Sequence, residues 1–402
     1  RELYPVTDIA QGQTNVISTL DLTYFPKDRG PYNFNPALAT TNQFSDTDAP
    51  DNWAGIMRAI NSTNFEQSNV EYIQFWVMDP FHDESLNNGS GGKLYFNLGD
   101  VSEDILKDSY RAFENGLPSP TNNATVDSTN WGLVPNNPSI VNAFDNDPAS
   151  RAAQDVGLDG LSTDNERTYF KSAFLDQVEN TFGQASPAYV QANADPSSDN
   201  FQYFRGTNLD NSSADILTRY KRFNGTDGNS KTSEQSPEPY ATSATNIPDG
   251  EDINRDNTMT DFENYFQYEV NLTPGQMIVG TNYIVDQVTT SVKTADNTIK
   301  NIKWYQFKIP VNSPSNVIGT GADLKSVNFI RMFMKEFDSP MVLRFARLEL
   351  LRGEWRKYQY SLLSNGEFIP VDPGATPFDV TVVNLEENGD RTPIPYVLPP
   401  GI

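Results

Sequence analysis

The sequence predicts a mainly β protein: a β-sandwich, of jelly-roll or galactose-binding-like type, interrupted by a helical and loop insertion. Two observations carry this. Period-2 runs rich in β-branched and aromatic residues fall in the first hundred and the last hundred and forty positions. Between about residues 101 and 260 the texture changes to polar loops with short stretches of helical spacing. The expected division is a discontinuous sandwich from residues 1–100 and 260–363, an insertion over 101–259, and an extended connector over 364–402.

The strand runs are 70–78 (VEYIQFWVM), 93–98 (KLYFNL), 302–310 (IKWYQFKIP), 327–334 (VNFIRMFM) and 341–351 (MVLRFARLELL). In the last, simple alternation puts Leu343 and Phe345 on one face and Val342, Ala346, Leu348 and Leu350 on the other with Arg344. A strand apolar on both faces belongs between covered layers. In the insertion, Ser102, Glu103 and Asp104 predict a helix running to Phe113, because a serine cap and early acids suit a helix start. A second helix follows Thr163 and Asp164, with Tyr169, Phe170, Phe174, Leu175 and Val178 at helical spacing up to Gly183. Residues 183–250 read as ordered loop with helical turns around 216–220. A loop of that length in a compact domain needs something to hold it, and a bound metal is one candidate. The tail adds a strand-like run at 378–385 (FDVTVVNL) and a proline-rich extended stretch at 393–401 (PIPYVLPPG).

Twenty-nine Lys+Arg against 53 Asp+Glu leave a formal charge of −24, which repels phosphate backbones and anionic headgroups, so no nucleic-acid partner is expected. With no cysteine, disulfides, thiolate metal sites and cysteine nucleophiles are excluded. His82 is the single histidine, which excludes zinc sites that need two, and its place just after a strand reads as a surface loop. Fifty-three carboxylates cannot single out a glycosidase pair, whose separation is spatial. No catalytic residue is assigned, and the chain reads as non-enzymatic. No apolar run approaches the roughly 20 residues of a membrane helix. The chain opens at Arg1 without a basic and apolar leader, and its abundance of Asn, Asp, Ser, Thr, Gly and Pro fits an exported, loop-rich protein.

Two segments have the spacing of calcium loops. In the first, Asp155, Gly157, Asp159, Leu161 and Glu166 take the first, third, fifth, seventh and twelfth places, with Gly160 at the sixth. In that template alternating side chains and one backbone carbonyl, here Leu161's, point inward and the last carboxylate closes the shell. Gly157 has no side chain to offer, so a water or a neighbouring carbonyl has to substitute. The second is Asp252, Asn254, Asp256, Thr258 and Glu263, with Asn257 where glycine is usual. Asparagine tolerates left-handed φ better than other non-glycine residues. The expected role of calcium here is to staple the insertion. The same residue types also make ion-free Asx-turns. Of the five tryptophans, Trp76 and Trp304 sit within strand patterns and read as core, while Trp53, Trp131 and Trp355 leave open a glycan-binding face.

Longer strings carry a resemblance. FPKDRGPYN (25–33), WAGIMRAI (53–60), NVEYIQFWVMDPF (69–81), GKLYFNLG (92–99), FENGLP (113–118), QDVGLDGL (154–161), PDGEDINRDN (248–257) and RGEWRKY (352–358) occur in this order. The chain from about residue 20 onward resembles the SprA/Sov family, the outer-membrane translocons of the type IX secretion system of Bacteroidetes, required also for gliding in motile members. The resemblance implies a fragment of a much longer chain whose other parts form a large β-barrel, through which folded cargo passes to a PorV-type partner. Regular ten-residue barrel strands do not run through this piece. It is therefore expected to be a soluble module that shapes or caps the pore and docks partners or cargo, associated with the outer membrane and facing outward. The alternative is a calcium-dependent glycan-binding or adhesive surface module.

Overall fold

A computed structural model describes residue 3 and residues 16–82, 89–121, 123–136, 143–145, 147–200, 204–221 and 248–353. The alternating runs form two five-stranded antiparallel sheets. The first has the order β1 (Thr19–Tyr24), β12 (Met341–Arg352), β3 (Val70–Met78), β9 (Ile299–Pro310) and β8 (Ile284–Lys293). The second has the order β10 (Asn316–Ile318), β7 (Asn264–Leu272), β4 (Gly92–Asp100), β11 (Phe329–Lys335) and β2 (Trp53–Ala59). The chain changes sheet between β1 and β2, β2 and β3, β3 and β4, β7 and β8, β9 and β10, and β11 and β12. That is the strand order of a jelly roll, with β8 and β10 added at the edges. A short helix, α1 (Phe65–Ser68), leads into β3, capped by the Asn64 side chain and ended by Asn69 in the left-handed region.

One core lies between the sheets. Phe75 and Phe307 are register partners on β3 and β9 and stack at 5.0 Å, while Phe96 from the facing sheet and Phe345 from β12 approach Phe75 at 5.3 and 5.6 Å. All four are fully buried, in the stacked and edge-on arrangements that ring quadrupoles favour. The alternation expected for β12 fails halfway. Arg347 has φ +50 and the pairing with β3 slips between Ala346 and Glu349, so a β-bulge moves Leu348 and Leu350 onto the same core as Leu343 and Phe345. The strands covered on both faces are instead β3, β4 and β9, where residues 73–77, 94–99 and 304–307 are buried without a break. Trp76 and Trp304 lie on the outer face of β3 and β9 with Ala346, Met78, Val288 and Ile302.

The insertion between β4 and β7 has a hairpin, β5 (Val126–Ser128) and β6 (Leu133–Pro135), and helices α2 (Pro148–Gln154), α3 (Thr163–Tyr169), α4 (Asp176–Phe182), α5 (Pro187–Ala194), α6 (Thr207–Asn211) and α7 (Ile216–Tyr220). Helix α3 passes into α4 through a π turn at Lys171–Leu175, and Gly183 at φ +83 ends the run that its spacing predicts. Phe170, Phe174, Leu175 and Val178 pack with Ala188 and Ala192 of α5, and Leu38 and Phe44 from the β1–β2 connection complete this second core. The turn at 216–220 is α7. Helix α5 was not expected; its signal is Ser186, whose hydroxyl accepts the Tyr189 amide, followed by Pro187. The runs at 378–385 and 393–401 lie outside the described residues.

The helix expected over 102–113 is absent. Lys107 and Ser109 have φ +51 and +63, and the Asp104 carboxylate takes the Asp108 and Ser109 amides. Local side-chain bonds of this kind compete with a helix ladder, and here a distant carboxylate joins them. Glu251, fully buried, accepts the amides of Ile105, Leu106 and Ala112 at 2.8–3.0 Å. In return Glu103, also fully buried, accepts those of Ile253, Asn254 and Thr260 at 2.7–3.3 Å. Glu114 adds the Asp249 amide, and Phe113 bridges Gly250. The two chains leaving and re-entering the sandwich are thus clasped by each other's carboxylates.

Burial lifts the Glu251 carboxyl from its ordinary 4.5 to about 7, outweighing its amide donors, and lifts Glu114 to about 10. A folded pKa above the unfolded one means that the stabilisation is complete below about pH 4.5 and is lost as pH rises through 7. The stability difference between wild type and Glu251→Gln, from urea unfolding, should therefore shrink between pH 5 and 8, by about 3 kcal/mol at most. A difference that grows instead would show that the amide donors dominate. In the sandwich, Phe75→Ala should cost about 3–5 kcal/mol in the same assay.

Candidate metal centre

Helix α2 ends at Asp155, and two left-handed glycines, Gly157 at φ +82 and Gly160 at φ +69, fold the chain back towards α3. Between them Asp159 turns inward: its Oδ1 accepts the Leu161 amide at 2.9 Å and its Oδ2 the Ser197 hydroxyl at 2.5 Å. Ser162 opens α3 and puts Glu166 in the first turn, where its Oε2 accepts the Ser197 amide at 2.8 Å. A third carboxylate comes from the turn after α5. Asp199 is held there by its backbone N–H, which donates a hydrogen bond to Asp195 Oδ1, and by Arg29, whose guanidinium donates to the Asp195 and Pro196 carbonyls while stacking on Phe174. The Tyr32 hydroxyl accepts the Leu158 amide and the Tyr32 amide donates to the Ser197 carbonyl, so the β1–β2 connection locks both halves together.

Asp159, Glu166 and Asp199 each bring one carboxylate oxygen within 4.8 Å of the others, and all three are buried. Among the described residues this is the one such group of acidic or histidine side chains. Asp155 and Leu161 are buried beside it in the same loop. Asp199 escaped the sequence reading because it lies outside the twelve-residue window. The clue was Gly157: a Cβ there would stand 2.2 Å from Asp199 Oδ2 and 3.5 Å from Asp159 Oδ1. The missing third-place side chain leaves the room that Asp199 fills.

These residues suit a hard cation. Three ionised carboxylates at this spacing repel one another, and burial withdraws the water that would screen them. Oxygen donors of this type are those a calcium ion takes: Asp159, Glu166 and Asp199 could each offer one carboxylate oxygen, and Asp155 and the Leu161 carbonyl lie in the same loop.

The second loop is arranged differently. Asp252 accepts the Asp256 and Asn257 amides at 3.0 and 2.9 Å, and Asn254 Oδ1 accepts the Asp256 amide at 2.9 Å. The Thr258 hydroxyl and amide donate to Asp256 Oδ1 and hold that carboxyl below the ordinary range. Asn257 does take a left-handed φ of +70, as the sixth place requires. Glu263, the twelfth-place residue, lies 3.3 Å from the Arg331 guanidinium and precedes strand β7 rather than a helix.

The tryptophans do not form an exposed row among the described residues. Trp76 and Trp304 are buried, Trp131 is half-buried, Trp53 is 64% exposed beside Phe333, and Trp355 lies outside the described residues. His82 is exposed, as expected.

Together these features define a mainly β jelly-roll fold whose insertion is organised by buried carboxylates. The chain belongs to the SprA_N family, described as motility related/secretion protein, which it matches over residues 173–402, more than half its length. Comparison with the curated proteins finds no match. Strands β1 to β4 precede the matched stretch, yet they pair strand by strand with β7 to β12 inside it.

Gly157→Ala tests the geometry of the centre, since it forces a side chain into a left-handed φ and onto Asp199. A loss of about 2 kcal/mol or more is expected in thermal unfolding; an unchanged midpoint would contradict the packing described.

Proposed function

We propose that this chain is a non-enzymatic module of the type IX secretion outer-membrane channel, which shapes or caps the pore and docks partners or cargo. The observation that carries the reading is membership of a motility and secretion family, joined to a fold in which the buried Glu251 and Glu103 carboxylates hold backbone amides at the neck of the insertion. Two cavities of about 220 and 300 Å³ are lined by residues such as Arg29, Gln191 and Asp195, and Asp79, Lys303 and Tyr305; neither holds the single histidine. No helix among the described residues is long and apolar enough to cross a membrane. The partners of this reading are the remaining parts of one long barrel chain, a PorV-type outer-membrane protein and secreted cargo. Its location is outer-membrane-associated and extracellular, where calcium is plentiful. Affinity capture of the full-length protein from its native membrane should recover the PorV-type partner and cargo; a full-length protein that returns neither would sink the reading.

Within this module, calcium at Asp155, Asp159, Leu161, Glu166 and Asp199 would staple α2, α3 and the turn after α5. At the loop of Asp252, Asn254, Asp256, Thr258 and Glu263 an ion has to draw Glu263 from Arg331, so this loop fills only at higher calcium. The thermal midpoint should rise with calcium and fall with chelator. Asp159→Asn with Asp199→Asn should abolish the response at low calcium, and Asp252→Ala with Asp256→Ala the further rise at high calcium. Equal midpoints of the wild type in calcium and in chelator would remove the metal from the account.

A further inference from the structure

We propose that the outer face of the first sheet is a docking site for an apolar chain segment, and that the N-terminal segment carrying Leu3 occupies it. An antiparallel sandwich commonly leaves the outer face of each sheet to water and reads apolar inward, polar outward. Strands β3 and β9 break that rule at their centres. Trp76 and Trp304 point away from the sandwich core and are nevertheless 1% and 4% exposed, joined by Ala346 at 2%. Met78, Val288 and Ile302 extend the apolar surface around them. No strand or helix is stacked on this patch among the described residues; the residue from outside the sheet that joins the buried cluster of Trp76, Trp304 and Ala346 is Leu3, itself 6% exposed.

The patch also has polar groups suited to a main chain. Gln306 is the register partner of Trp76, and its Oε1 is buried with no hydrogen-bond partner among the described residues. The Trp304 indole N–H, two residues earlier on the same face, is in the same position. One is an acceptor and the other a donor. A peptide backbone supplies both complements, whereas an aliphatic side chain or a lipid tail supplies neither. An apolar anchor in the cluster of the two indoles, flanked by one backbone donor and one backbone acceptor, therefore describes the occupant. Leu3 identifies it as a segment of this chain. Leu3 belongs to no strand of the sheet, so its side chain can leave without unpairing one. The inference does not depend on the channel reading.

Leu3→Asp in the whole chain tests it. The tryptophan emission should shift to the red and become more accessible to acrylamide, and neither change should occur when Trp76→Phe and Trp304→Phe are also present. A synthetic peptide of residues 1–15 added to the Leu3→Asp chain should reverse the shift, and the same peptide bearing Leu3→Asp should not. A nitroxide on Leu3→Cys reads the contact without adding a charge; it should quench the emission of Trp76 and Trp304 equally at high and low protein concentration. Unchanged emission in a folded Leu3→Asp chain, or a nitroxide that leaves both tryptophans bright, overturns the proposal. Quenching that fades on dilution assigns the segment to a second copy and overturns the assignment to the same chain.

Discussion

The need to satisfy buried backbone amides where the insertion leaves the sandwich shapes much of this molecule. Residues 103–114 and 249–260 meet across their neck in one isolated bridge, Phe113 with Gly250, and a few backbone pairs, which leaves many of their amides without a regular partner. Carboxylates supply the acceptors instead: Glu251 reaches into one strand of the neck and Glu103 into the other. A carboxylate has several lone-pair directions, so one side chain can collect three amides that regular structure would otherwise pair one by one. This lets a long polar excursion begin and end next to paired strands β4 and β7 without loosening them.

The same device recurs deeper in the insertion. Asp159 and Glu166 converge on Ser197, and Asp199 fills the space beside Gly157. At the neck each carboxylate meets several amide donors, whereas in the centre three carboxylates meet one another, and that difference makes the second arrangement a candidate for a cation. The β1–β2 connection matters to both cores. It starts in the sandwich, donates Arg29 and Tyr32 to the turn around Ser197, and packs Leu38 and Phe44 under the helices. The insertion and the sandwich are therefore fastened twice, once by acids and once by this arm.

Much of the architecture was legible in the residue pattern, because β3, β4, β9 and β11 carry dense aromatic and branched alternation and the 163–183 helix keeps its period. What failed did so for physical reasons that a local reading cannot contain. The false helix at 102–113 was undone by Glu251, about 140 positions away. The phase of β12 was reversed by a single left-handed arginine, a conformation its residue type gives no warning of. Of the three carboxylates that converge in the insertion, Asp159 and Glu166 lie within the twelve-residue spacing, while Asp199 needed the fold to bring it in. The burial of Trp76 and Trp304 was expected, but not that they would be buried on the far side of the sheet.

The interleaved strand order also governs when the sandwich can exist at all. Strand β12, ending at Arg352, lies between β1 and β3, so Thr19 finds its neighbour in Ala346. A polypeptide emerging from its amino end cannot close the first sheet until almost all the described chain is present. Helices α3 to α5, built from nearby residues, face no such wait. Loop closure over such separations makes assembly slow, and until it is complete the aromatic faces of β3 and β9 lie open to chaperones.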